Sequence, residues 1–239
     1  VDAVLKEAAA CGVERVVAVA EGPESMRAVL ELKRRFPQRV FAGLGLHPVW
    51  VTEHGDRVEA ALDWLSVHLA EADLLGEVGL DYQWALTTPE QTRQAEVLER
   101  QLALAVEYGK PINLHSRRCL RQTMDRAIEF RRRSGLNAQL HWFTESKKLV
   151  RICNDEGIYV SVGPTVLKSG PTQEVALEIA DELLLLETDA PVSVGGERGH
   201  PRHVRAVAEC LATLRGATWR DIAVQSGANF ARFLAAETT

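Results

Sequence analysis

The sequence predicts an α/β fold, a (β/α)8 barrel of the TIM type, and three observations carry the prediction. Strand-like and helix-like segments alternate along all 239 residues, with no linker or low-complexity stretch between them. The strand-like runs are short and apolar and the segments between them amphipathic, the pattern of a mainly parallel sheet with right-handed crossovers. Four runs end on metal-ligand residues: Leu74-Leu75-Gly76-Glu77, Pro111-Ile112-Asn113-Leu114-His115, Ala138-Gln139-Leu140-His141 and Leu184-Leu185-Leu186-Glu187-Thr188-Asp189. In a closed parallel barrel the C-terminal strand ends share one mouth, where the active sites of that fold lie.

In chain order, Val1–Cys11 reads as a helix running straight into a strand at Arg15–Ala20. Helix Glu24–Phe36, strand Val40–Leu46, helix Arg57–Ala70 and strand Asp73–Val78 follow. Helix Pro89–Tyr108 places Val97, Leu98, Leu102, Ala105 and Val106 at helical spacing, one core-facing stripe. Strand Pro111–His115, helix Leu120–Arg133, strand Ala138–His141 and helix Ser146–Asp155 come next. Strand Gly157–Val162, strand Leu183–Glu187 and helix Pro201–Arg215 complete the series. Gly12, Gly109 and Gly157 stand where helices should end. These are seven strands and the barrel needs eight, so the first strand is expected upstream of residue 1. A doubly wound open sheet is the weaker alternative. No G-x-G-x-x-G turn follows any strand, and an open sheet would not gather all four strand ends.

The chain is long enough for one large core, and residues 1–239 read as a single domain. It has no apolar stretch of membrane-span length and no cleavable signal at its start. A net charge of −5 argues against whole-surface electrostatic binding of nucleic acid. It does not exclude a phosphodiester substrate, because bound metal supplies positive charge locally. Cys11, Cys119, Cys153 and Cys210 are scattered and form no C-x-x-C pair. They read as small buried hydrophobes in a reducing cytoplasm. There is neither a G-x-S-x-G elbow nor a G-x-x-x-x-G-K-[ST] loop, which argues against a serine hydrolase and a nucleotide-driven machine.

Two imidazoles and two carboxylates, from Glu77, His115, His141 and Asp189, suit Zn²⁺, Mn²⁺ or Fe²⁺ better than Ca²⁺. That set reads as a metal-dependent hydrolase.

The residues also carry a family resemblance. Gly45-Leu46-His47-Pro48, Gly76-Glu77-Val78-Gly79-Leu80-Asp81-Tyr82, Leu114-His115-Ser116-Arg117, His141-Trp142-Phe143 and Leu186-Glu187-Thr188-Asp189-Ala190-Pro191 occur in the order seen in TatD-type metal-dependent hydrolases. Asn229-Phe230-Ala231-Arg232-Phe233 resembles that family's C-terminal segment. The resemblance implies an amidohydrolase-like barrel and a deoxyribonuclease working from 3′ ends, with two divalent ions (Zn, Mn or Mg). Its substrate would be DNA, single-stranded or at 3′ ends, with no membrane partner. By the same resemblance Glu77 bridges the metals, and His115 and His141 bind the second. Asp189 binds the first and acts as general base, which makes Asp189 and Glu77 the catalytic pair. A carboxylate suits both duties, since its two oxygens can bridge ions about 4 Å apart and one can accept a proton from bound water.

The sequence departs from the family at one point. No His-x-His pair occurs anywhere, although the family carries one at the end of its first strand. Missing upstream residues would explain the absent strand and the absent pair together. His200-Pro201-Arg202-His203 is no substitute, because it lies at the start of a helix after Asp189.

Other residues admit two readings. His47 could touch a substrate phosphate or be a hydrogen-bonded structural histidine. Asp81 is expected to orient the loop or a ligand rather than bind metal. Arg117 suits a phosphate, with a rim ion pair as the competing reading. Arg117, Arg118, Arg121, Arg126 and Arg131–Arg133 could track a nucleic-acid backbone, though Arg131–Arg133 read better as a solvated helix face. Trp84 and Trp142 are possible stacking platforms, with packing under the loops as the safer reading. Trp50 could serve an interface or be buried. Two other functions compete: a metal-dependent esterase or deacylase on aminoacyl-tRNA or a small ester, and a metal-poor, non-catalytic subunit of an assembly.

Overall fold

The computed structural model describes residues 1–144, 146–193 and 195–235. The chain forms two compact units, Val17–Leu140 with Phe233–Thr239, and Val1–Val16 with His141–Arg232.

In the first unit, β1 (Val16–Val19), β2 (Val40–Leu44), β3 (Leu74–Asp81), β4 (Ile112–Arg117) and β5 (Ala138–Leu140) follow one another in chain order. Each pair from β2 to β5 is parallel. Strand order does not reverse within these five, as it would at the switch point of a doubly wound sheet. The intervening helices are α2 (Pro23–Arg35), α3 (Pro48–Glu53), α4 (Val58–His68), α5 (Thr88–Glu107) and α6 (Leu120–Ser134). Every residue of β3 is buried, as expected of a parallel strand covered on both faces. Leu44, Leu74, Leu75, Leu80, Ile112 and Leu114 are among the most deeply buried side chains.

The second unit holds α1 (Asp2–Ala10), α7 (Lys147–Asp155), α8 (Gly170–Glu178), α9 (Val204–Arg215) and α10 (Trp219–Leu234). Its strands β6 (Tyr159–Val162) and β7 (Leu184–Leu186) pair in parallel, Val160 opposite Leu184. Asn229 of α10 is fully buried and donates from Nδ2 to the carbonyls of Asp181 and Leu184, both at 2.7 Å. That buried amide accounts for the asparagine in the closing sequence block.

The fold is the predicted α/β barrel class, with seven parallel strands separated by helices among the described residues. Some details differ from the sequence reading. Strand β3 runs on to Asp81, so Glu77 is its fourth residue rather than its end, and His115 lies inside β4. The ladder continues there because Gly79, Leu80 and Asp81 pair with His115, Ser116 and Arg117. The register shifts between Leu75 and Val78, and the Glu77 amide donates to Ala20 O at 3.2 Å. Such an irregularity re-aims a side chain, here Glu77.

Val106 was expected in the α5 stripe but is 50% exposed. The buried stripe of α5 is Gln94, Val97, Leu98, Gln101, Leu102 and Ala105, two glutamines among the apolar residues. A box in which Thr87 and Glu90 cap each other's backbone amides starts the helix. No described helix is long and apolar enough to cross a membrane.

Candidate metal centre

Three sequence-predicted residues of the first unit meet around His115. Its Nδ1 lies 2.8 Å from Glu77 Oε1 and its Nε2 lies 3.0 Å from Asp81 Oδ2. Burial pushes the Asp81 carboxyl up, but its hydrogen bond with His115, that ring's charge, the Gln83 amide and Arg117 outweigh burial and hold it below its ordinary value. Asp81 is therefore an ionised acceptor, so His115 Nε2 must donate to it. The nitrogen left to bind a cation is Nδ1, the one facing Glu77. A ligand histidine whose other nitrogen donates to a carboxylate is the usual arrangement around catalytic metals.

His47 completes the cluster. One donor atom each from His47, Glu77 and His115 lie within 4.8 Å of one another, a spacing compatible with one coordination sphere. The hydrogen bonding of His47 assigns it a different task. It caps α3, Nδ1 accepting the Val49 amide at 3.2 Å, so a neutral ring carries its hydrogen on Nε2. That Nε2 points at Glu77 Oε1 from 3.4 Å. His47 therefore caps α3 with one nitrogen and faces Glu77 with the other.

The backbone around this cluster is pinned by α5. Gln94 accepts the Asp81 amide at 2.8 Å, and its Nε2 donates to Pro48 O at 3.1 Å and Thr52 Oγ1 at 2.8 Å. Two turns on, Gln101 accepts the Leu46 amide at 2.7 Å and donates to Leu46 O at 3.2 Å. One helix face thus positions the segment carrying His47 and the end of β3 carrying Asp81. Sequence reasoning missed both glutamines. The available signal was a pair of glutamines seven residues apart on an otherwise apolar stripe.

Gly79 lets β3 and β4 approach closely. A Cβ there would lie 2.1 Å from His115 O, and φ is +150°, a conformation open to glycine.

In the second unit, His141 follows directly on β5 and Asp189 lies three residues past β7. His141 Nδ1 is 3.3 Å from Glu187 Oε2, while Glu187 Oε1 accepts the Trp142 amide. Glu187 therefore does for His141 what Asp81 does for His115. It stood in the quoted LETDAP block, yet the sequence reading gave it no role. Trp142 and Asp189 both have left-handed backbones, φ +48° and +50°. Asp tolerates that region, whereas a bulky Trp there is held by its surroundings, a form of strain that clusters at functional sites.

The basic run resolves into local pairs. Arg121 binds Asp125, Arg126 binds Glu99 and Arg133 binds Glu129. Arg131 donates to Asn137 Oδ1 at 2.6 Å. These arginines form a solvated helix face, which leaves Arg117 and Arg118, both exposed beside β4, as the cations nearest His115 in sequence. Trp84 is 53% exposed rather than packed under a loop. Trp50 is half-buried and stacks on His54, ring centroids 4.9 Å apart. His200 caps the 3-10 turn Pro201–His203 that leads into α9, accepting the Arg202 amide, and its Nε2 faces Glu7 at 3.5 Å. All four cysteines are free, with Cys119 and Cys153 buried.

Known proteins resemble this chain along most of its length. An uncharacterized metal-dependent hydrolase of Bacillus subtilis, YabD, is 33% identical over 232 residues, 92% of this chain and 87% of that protein. The human deoxyribonuclease TATDN3 is 29% identical, covering 92% of this chain and 84% of its own. The crystal structure of the TatD homologue YJJV from Escherichia coli K12 superposes with a TM-score of 0.85 at 29% identity, over 97% of this chain and 90% of that one. The sequence profile of the TatD related DNase family matches residues 1–235. With the majority of its length matched and its histidines backed by carboxylates, the chain belongs to the TatD family of metal-dependent hydrolases.

Proposed function

We propose that this hydrolase cleaves phosphodiester bonds of DNA, working from the 3′ ends of unpaired strands, and that residues 1–239 act as one catalytic domain. The observation that supports it best is the double-sided hold on His115, with Asp81 on Nε2 and Glu77 beside Nδ1. That arrangement presents an imidazole nitrogen and a carboxylate oxygen together, a donor set suited to Zn²⁺ or Mn²⁺. The deoxyribonuclease name of human TATDN3 supports the choice of substrate.

In this reading Glu77, His115, His141 and Asp189 would hold two divalent ions (Zn, Mn or Mg). Bound metal would supply an activated water and positive charge for a phosphate oxygen. Asp189 would be the carboxylate that accepts a proton from such a water. His47 donates from Nε2 to a phosphate oxygen, and Arg117 offers its planar fork to the adjacent phosphate.

The test is direct. The protein, loaded in turn with Mn²⁺, Mg²⁺ and Zn²⁺, is given single-stranded DNA labelled at its 5′ end. A ladder shortening from the 3′ end, lost in Asp189→Asn and in His115→Ala, is the expected result. Cleavage that survives Asp189→Asn removes the assignment of that residue. Intact DNA with hydrolysis of an aminoacyl ester would move the chemistry to ester bonds.

A further inference from the structure

The segment after β3 holds two apolar side chains in water on a rigid backbone. Trp84 is 53% exposed and Leu86 76% exposed, three and five residues from the Asp81 that holds His115. The backbone between them is fixed from both ends. Asp81 Oδ1 accepts the amides of Gln83 at 2.8 Å and Trp84 at 3.3 Å. Glu90 Oε2 accepts the amides of Leu86 and Thr87, each at 2.9 Å. Between them Ala85 is fully buried, its carbonyl taken by Gln91 Nε2 at 3.1 Å. A loop this well fastened has no need of an exposed indole for its own stability, and a large apolar side chain left in water forfeits burial.

The same carboxylate that steadies Trp84 steadies His115, Oδ1 on one side and Oδ2 on the other. Trp84 is thus one side chain away from the proposed metal ligand. Arg117 lies opposite Asp81 in the β3–β4 ladder and its carbonyl accepts the Tyr82 amide at 2.9 Å. An exposed indole, an exposed guanidinium and a metal-ligand cluster therefore share one end of two paired strands. The apolar area of one tryptophan and one leucine is too small for a stable protein interface, which needs about 800 Å² per partner. It matches a single flat aromatic ring carrying an anion.

We propose that Trp84 is the platform on which an unpaired base of the substrate stacks, with Arg117 facing its phosphate, so that stacking sets which linkage reaches His115. This rests on the DNA reading above and adds a determinant of strand preference. Stacking on an aromatic side chain accepts any base, so the preference is for unpaired over paired ends rather than for sequence.

The experiment separates this inference from that reading. Oligodeoxynucleotides carry an abasic residue at each of the last four 3′ positions in turn. Binding is measured by fluorescence anisotropy in EDTA, and cleavage with Mn²⁺, for the wild type, Trp84→Ser and Trp84→Phe. The wild type should lose about tenfold in affinity at one abasic position. Trp84→Ser should bind the normal and abasic strands alike at that position, and Trp84→Phe should restore most of the difference. A wild type that binds and cleaves DNA while Trp84→Ser discriminates against every abasic position as strongly overturns this inference alone. A wild type that neither binds nor cleaves DNA overturns both. Equal melting temperatures of the two variants confirm that the comparison concerns the indole and not the fold.

Discussion

Asp81 Oδ2 takes the Nε2 hydrogen of His115 at 3.0 Å, and this bond leaves Nδ1 as the nitrogen that faces Glu77. The carboxylate fixes the tautomer and raises the basicity of the opposite nitrogen. Asp81→Asn keeps the size and removes the charge. It should weaken metal binding by about 10- to 100-fold, the range typical for such partners. Titration calorimetry with Zn²⁺ measures it. An unchanged affinity would mean that Asp81 serves only the loop carrying Trp84.

Glu187 stands in the same relation to His141 and also caps the Trp142 amide. Glu187→Ala should lower metal occupancy, read by elemental analysis of the dialysed protein. It should also cost about 1–3 kcal/mol of stability, because the Trp142 amide loses its acceptor. Glu187→Gln keeps an acceptor for that amide while losing the charge. It should therefore recover most of the stability and little of the metal, and recovery of both would assign Glu187 a purely structural role.

Much of this was legible in the sequence because strand and helix periodicities differ and glycines mark the helix ends. The candidate residues Glu77, His115, His141 and Asp189 stood out because a short apolar run ending in His or a carboxylate is unusual. What could not be read is the set of contacts that makes those residues work. Glu187 received no role because a carboxylate beside a histidine in space is not beside it in sequence; 46 positions separate it from His141. Asp81, 34 positions from His115, was given its orienting role only as one of two readings, the loop or a ligand, and it holds both. Val106 was placed in the core because only apolar residues were used to draw the helical stripe, whereas the true stripe admits Gln101, whose polar atoms are satisfied by the backbone of Leu46. The strand ends at Glu77 and His115 were drawn too early because Gly79 allows the ladder to continue past both.

Those glutamines lead to a stability prediction. Gln101 is buried and pairs with both the amide and the carbonyl of Leu46, itself buried. Gln101→Leu is close in volume and apolar, yet it strands two backbone groups. The expected loss is about 3 kcal/mol, read as a lower urea midpoint with an unchanged slope. A loss below about 1 kcal/mol would mean that water replaces the amide.

The cysteines should divide by burial. Burial pushes the Cys153 thiol up to about 12, so almost none of it is thiolate at pH 8. Native protein treated with iodoacetamide at pH 8 should leave Cys153 unmodified while half-buried Cys11 reacts. Peptide mass mapping reads the outcome, and rapid native labelling of Cys153 would contradict the packing of α7.

The close approach of β3 and β4 gives the sharpest test of the geometry around His115. A methyl at Gly79 would meet His115 O at 2.1 Å, and that obstacle is backbone, which cannot swing aside. Gly79→Ala must therefore part the two strands, moving His115 away from Asp81 and Glu77. The expected cost is over about 4 kcal/mol, the range reserved for core overpacking combined with backbone strain. Gly109→Ala is the control, since Gly109 also has a positive φ, +62°, but nothing lies within 4 Å of the added carbon. It should lose only about 1 kcal/mol, the conformational term alone. Denaturant unfolding of both variants measures the difference. If they unfold alike, the strands are not in contact at Gly79, and the hydrogen bonds that aim His115 would need another origin.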